Sequence, residues 1–185
     1  MTLRLDPNRA RIRIRTFAEG LLSRLAHDLE LTCRDVTGTA EDRANDAGTA
    51  RLEVPVAKID VAGTLKNGVV DPNGLSASDR EDCLTKMRRE VFQAKGASDV
   101  VRIEVDVDDG RARIRVIPPN GKAVERIVPL RPSKDDDGAV KATGTVDVSL
   151  NAIGSLPVKG PMNAFRVKDR VEVLFDVAFV PDQPA

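Results

Sequence analysis

Apolar and polar residues alternate along much of this chain with a period of two, which places successive side chains on opposite faces of a strand and buries one face. Arg11-Ile12-Arg13-Ile14-Arg15 is the clearest opening case. An unpaired guanidinium is too costly to bury, so the arginines face water and the isoleucines face inward. The pattern recurs in His27-Leu29-Leu31-Cys33, Leu52-Val54-Val56, Val101-Ile103-Val105-Val107 and Ala112-Ile114-Val116. A further strand of ambiguous phase lies within Ala123–Leu130, and long alternating runs follow at Val140–Leu150 and Val171–Phe179. The expectation is eight strands.

The apolar phase moves from even positions at Leu52–Val56 to odd positions at Ile59 and Val61, which predicts a one-residue bulge near Ala57-Lys58. Asp109-Gly110 predicts a two-residue hairpin that sets Val107 opposite Ala112, Val105 opposite Ile114 and Ile103 opposite Val116. Pro118-Pro119-Asn120-Gly121 and Asp135-Asp136-Asp137-Gly138 mark further turns. One segment, about 78–93, has helical spacing, with Leu84, Met87 and Val91 on one face. Ser78 and Glu81 fit a capping box, acids precede bases along the segment, and Gly96 follows as a stop. Breakers in Asn151–Pro161 predict a loop between the last two strands, and the termini and 63–76 are expected to be mobile.

At 185 residues the chain fits one domain. Hydrophobic residues form 41% of it, enough for a core, while 29 basic and 29 acidic residues leave no net field to gather nucleic acid or an anionic membrane. Only 3% is aromatic, so the interior must be aliphatic. The first residues lack the apolar stretch of a secretory signal, and no run reaches membrane-spanning length, so the expected location is cytoplasmic without membrane insertion. Cys33 and Cys83 have no zinc spacing and read as small core residues.

Three segments resemble the YceI-like family of lipocalin-like, polyisoprenoid-binding barrels. Gly20–Asp28 resembles the turn after the first strand, Ser78–Phe92 the helix before the fourth, and Gly160–Val173 the approach to the last. Gly121-Lys122-Ala123-Val124-Glu125-Arg126 departs from the family's Gly-x-Thr-Lys/Arg-Pro-Val segment. The resemblance implies a single YceI-like domain over 1–185. It would be a closed eight-stranded antiparallel barrel, with the helix between the third and fourth strands, enclosing an isoprenoid chain such as a quinone tail. It implies no catalytic residues.

The residues expected to line that interior are Ile12, Ile14, Leu29, Leu31, Val54, Val56, Ile103, Val105, Ile114, Val116, Ala142, Gly144, Val146, Val148, Val173, Phe175 and Val177. Many are small, which leaves room for one slender apolar molecule. His27, the sole histidine, and the 151–161 loop are candidates for touching a head group. His27 with Ser23 or Cys33 also suggests nucleophilic catalysis, but strand neighbours alternate faces and Cys33 lies about 20 Å along the strand. One histidine and two distant cysteines offer no metal site. The triple aspartate lacks the register of a calcium loop, and the arginine row reads as a solvated wall. The expected function is to carry or store an isoprenoid or quinone-type lipid, with no other cofactor and no enzymatic step. The alternatives are a solidly packed interaction module and, less favoured, an enzyme on an apolar substrate. A homodimer is left open.

Overall fold

The computed structural model describes residues 1–20, 27–43, 47–160 and 164–182. The first strands are β1 (Thr2–Leu5), β2 (Arg11–Thr16), β3 (Ala18–Glu19), β4 (Asp28–Cys33), β5 (Thr37–Asp42), β6 (Gly48–Pro55), β7 (Ile59–Lys66) and β8 (Val69–Asp71). Helix α1 (Ala77–Lys86) runs on into a π turn at Met87–Val91. Then come β9 (Val100–Asp108), β10 (Arg111–Ile117), β11 (Val124–Pro129), β12 (Ser133–Lys134), β13 (Val140–Ser149), β14 (Arg166–Val167) and β15 (Arg170–Pro181).

The protein is mostly β with one helix, but the sheet is not the closed eight-stranded barrel that the alternation and the resemblance led us to expect. It is an open, curled half-barrel whose main path runs β11-β10-β9-β6-β5-β1-β15-β2-β4-β7-β8, with β13 attached to β15 and β12 to β13. Among the described residues no ladder joins β11 to β13. At that edge β11 meets β13 through side chains: Arg126, opposite Ile114 in the β10–β11 register, donates from Nε to the Asp147 carbonyl (3.2 Å) where a ladder bond would otherwise form.

Several long strands are broken at one level. The 3₁₀ turn Pro7–Arg9 separates β1 from β2, Arg34-Asp35-Val36 separates β4 from β5, and the 3₁₀ turn Val56–Lys58 separates β6 from β7. The last lies where the phase change predicts an irregularity, but it is a three-residue 3₁₀ turn between two strands and not the one-residue bulge expected near Ala57-Lys58. Backbone bonds keep the breaks within the sheet: Asp6 N–H donates to the Ala178 carbonyl (2.9 Å), Arg34 to Lys58 (3.0 Å) and Val56 to Asp99 (2.9 Å). The β9–β10 hairpin has the expected register, with Val107 opposite Ala112, Val105 opposite Ile114 and Ile103 opposite Val116. Asp109 and Gly110 both have positive φ, as that tight turn requires.

Other expectations shift. The segment 63–76 forms the end of β7, the β8 return strand and the helix approach. The helix cap lies two residues earlier than expected. Ser76, not Ser78, is the N-cap: its Oγ accepts from Asp79 N–H (3.1 Å) and its hydroxyl donates to Asp79 Oδ2 (2.6 Å). The arginine row is also more than a solvated wall. Arg15 Nε lies 2.8 Å and Arg13 Nη1 3.7 Å from the two carboxylate oxygens of buried Glu30, so a carboxylate on the outer face is taken from water by paired cations.

The two serines separate the helix starts. Ser76→Ala should lower stability by about 1 kcal/mol in urea unfolding, whereas exposed Ser78→Ala should change it by less than about 0.5 kcal/mol. A larger loss at Ser78 would return the cap to the position that the sequence pattern favours.

Candidate functional site

The inward side chains of the curled sheet surround an apolar cavity of about 600 Å³. Apart from Val56 and Gly144, all the side chains expected to line an interior form part of its wall, from Ile12 and Ile14 on β2 to Val173, Phe175 and Val177 on β15. Val56 falls in the 3₁₀ turn and is only 1% exposed, packed into the core beyond the wall. Gly144 is covered: it pairs with Phe175 across β13 and β15, and a Cβ there would stand 2.6 Å from Phe175 Cζ. The empty space at Gly144 is filled by that ring, so Gly144→Leu would displace an aromatic side chain before it met any ligand.

Sequence reasoning missed part of the wall. Leu3 on β1 and Ala40 on β5 contribute to it, as do Met87, Val91 and Phe92 after the helix. The helix also presents Asp79, Asp82, Cys83 and Lys86 to the cavity, at spacings that share one helical face. Their polar character leaves no mark in the apolar pattern of the sequence. Phe165 lines the same end, its ring against Gly160.

The cavity runs between the two ends of the strands, and each end carries charge. At one end stand His27, Thr16, Asp79, Asp82, Lys86 and Lys159; at the other are Glu41, Asp42, Thr49 and Lys134. Lys134 Nζ lies 2.8 Å from Asp42 Oδ2. The helical end is tied to the 151–160 loop, where Leu156 N–H donates to the Glu90 carbonyl (2.8 Å), Gln93 Nε2 to Gly154 (2.6 Å) and Lys86 Nζ to Lys159 (3.0 Å). That loop was expected to reach a head group, and its Val158, Lys159 and Gly160 do line the cavity. Pro161 and Ser23 lie outside the described residues.

His27 is exposed at the rim, while Cys33 is buried at the far end of β4, so one strand length separates imidazole from thiol. Asp28 is engaged elsewhere, accepting from Ala18 N–H (2.9 Å). Burial pushes the Cys33 thiol up to about 12. The Cys83 thiol is also raised, first by desolvation; Lys86 pulls it down, and Asp79 and Asp82 push it up. Neither thiol is primed as a thiolate. The triple aspartate is a turn in which Asp135 meets Lys141 (2.7 Å) and Arg9 (2.8 Å), contacts that, Lys141 foremost, hold its carboxyl below the usual range. Among the described residues no three His, Cys, Asp or Glu side chains are grouped to hold a metal ion, and no helix is long and apolar enough to cross a membrane.

No protein-family model matches the sequence, and neither does any curated protein. Among solved structures the chain is similar to the crystal structure of BcnA from Burkholderia cenocepacia, with a TM-score of 0.63 and 13% identity over 94% of this chain and 98% of that one. At that identity the likeness is one of fold alone. The segments that resemble the YceI-like family sit at structurally distinct places: Ser78–Phe92 spans the helix and π turn at the cavity end, and the described part of 160–173 leads through β14 into β15. Residues 21–26 and 161–163 of the other two segments lie outside the described residues.

The buried thiol makes stability depend on alkaline pH. In the unfolded chain Cys33 ionises near its ordinary value of 9.0, and in the fold only near 12. Below pH 9 both states hold the proton and the group contributes no slope. Above it the unfolded state loses the proton first, so stability falls by about 1.4 kcal/mol per pH unit until the folded thiol ionises. Between pH 8 and 10.5 the wild type should therefore lose about 2 kcal/mol more than Cys33→Ala in urea unfolding. Equal losses would mean that the thiol ionises in the fold as it does in water.

Proposed function

We propose that the protein holds a long apolar ligand, an isoprenoid or quinone-type lipid, in this cavity and so carries or stores it. The observation that carries the reading is the cavity itself: about 600 Å³ of space walled by aliphatic side chains from β2, β4, β9, β10, β13 and β15. That volume is in the range of small-molecule sites, roughly 300–1,000 Å³. A solidly packed interaction module would have filled the space, because protein interiors pack to crystal-like density and leave few voids larger than a water molecule.

Binding there draws on the hydrophobic effect with little polar discrimination. Each buried CH₂ contributes roughly 0.8 kcal/mol before association and ordering costs, so several isoprene units support tight binding. The charged ends suit a molecule with an apolar body and a polar terminus, which would meet His27, Lys86 and Lys159 where they line the helical end. The segments that resemble the YceI-like family support the same ligand class. No catalytic step is part of the reading: His27 is exposed at the rim and Cys33 is a buried, protonated thiol.

Mass spectrometry of an organic extract of gently purified protein should reveal a stoichiometric long apolar molecule. Val146 is 5% exposed and lines the cavity, so Val146→Phe should sharply lower that yield at an overpacking cost of about 1–3 kcal/mol. If neither protein releases an apolar molecule and a neutral apolar fluorophore fails to bind, the carrier reading is wrong.

A further inference from the structure

The gap in the sheet opens onto the cavity wall. In the β10–β11 register Val116 pairs with Val124, Ile114 with Arg126 and Ala112 with Val128. Ile114 and Val116 line the cavity, so Arg126 takes the inward phase, where an apolar residue is the rule. Across the gap, Val146 and Val148 of β13 line the same cavity. Between these edges the half-buried Arg126 donates from Nε to the Asp147 carbonyl (3.2 Å) and from Nη1 to the Glu125 carbonyl (2.9 Å). A guanidinium thus serves a β13 carbonyl at a junction that, among the described residues, has no backbone ladder.

The rest of the junction is also made by side chains. Val124 shares an apolar cluster with Val148, Leu150 and Ile153, and Leu130 shares another with Val146. Asn120 Nδ2 donates to the Ile153 carbonyl (3.0 Å). A backbone ladder opens only by breaking successive hydrogen bonds, whereas this junction opens through rotamer changes and the loss of one or two bonds. The cavity ends are less suited to admitting an apolar chain, since they carry Asp79, Asp82 and Lys86 on one side and the Asp42–Lys134 pair on the other. Ile127, 60% exposed on the outer face of β11, puts an apolar side chain beside the gap.

We propose that the β11–β13 junction is a lateral portal through which the apolar chain reaches the cavity, with Arg126 as the positioning residue that holds it shut. The proposal rests on the carrier reading. A clasp sets the rate of passage and not the affinity of the closed site, so loosening it speeds loading and release together.

Stopped-flow uptake of diphenylhexatriene, a neutral rod-shaped fluorophore, tests this. Arg126→Met keeps the aliphatic stem and removes the clasp; it should raise uptake and release rates about tenfold each, with equilibrium occupancy changed less than about twofold. A complementary test bridges exposed Ile127→Cys and Thr145→Cys on the outer face with a short, reducible bismaleimide linker, in a Cys33→Ala, Cys83→Ala background. The bridged protein should load at least about tenfold more slowly, and reductant should restore the rate. The same linker across the paired β9–β10 ladder, at Asp106 and Arg113, should leave the rate unchanged. Loading of the seam-bridged protein at the unbridged rate would overturn the portal and leave the carrier reading intact. Uptake and release of Arg126→Met at the wild-type rates would remove Arg126 from the role. Failure of the wild type to take up any probe would overturn the carrier reading, and the portal with it.

Discussion

The cavity exists because neighbouring long strands bend together. A flat, continuous sheet of this many strands would present one broad apolar face and enclose nothing. Here the turn Pro7–Arg9, the break at Arg34-Asp35-Val36 and the turn Val56–Lys58 lie side by side, held by the Arg34-to-Lys58 and Val56-to-Asp99 backbone bonds. Asp35 has positive φ within this line. Interruptions of this kind raise local twist and turn the strand. With the breaks aligned, the sheet curls as a unit and its inward residues converge from several directions on one space. Strand β15 completes the convergence, because it is paired along both edges, with β13 on one side and β1 and β2 on the other.

Curling does not oblige the last edges to meet. The β11–β13 junction is crossed by Arg126 and by apolar contacts, and the two kinds of edge differ in how they yield. The paired ladders of β13 with β15 and of β9 with β6 are cooperative and resist local opening, whereas the side-chain junction is the element of the wall with least backbone hydrogen bonding. One structure thus combines a rigid wall with a weak line, an arrangement suited to a molecule that must hold an apolar chain and also exchange it.

Strong alternation made β9, β10, β13 and β15 readable, and Asp109-Gly110 set the register of one hairpin. The slip in phase after Val56 revealed one of the aligned breaks. The others left no such mark, because Pro7 precedes the first clear alternation and Arg34-Asp35-Val36 reads as an ordinary turn. Strand β5 escaped because its inward residues are Gly38 and Ala40, too small to register as an apolar face, although pairing places Gly38 opposite Leu52. Whether the sheet closes depends on a pairing between β11 and β13 that no local pattern encodes; Arg126 facing in and Ile127 facing out gave β11 its ambiguous phase. Most of the cavity wall was legible for the same reason as the strands. Its charged ends were not, because Asp79 and Lys86 resemble the solvated side of a helix until the packing places them.

On this reading an apolar chain lies inside the curled sheet and not on its surface. Nuclear Overhauser contacts measured between a ¹³C-labelled polyprenyl chain and the methyl groups of the reconstituted protein address it directly. Chain methyls should contact Ile103, Val105, Val146 and Val148, which line the cavity from β9 and β13. Contacts confined to the exposed Ile127 and Leu156, with none to those interior methyls, would contradict it.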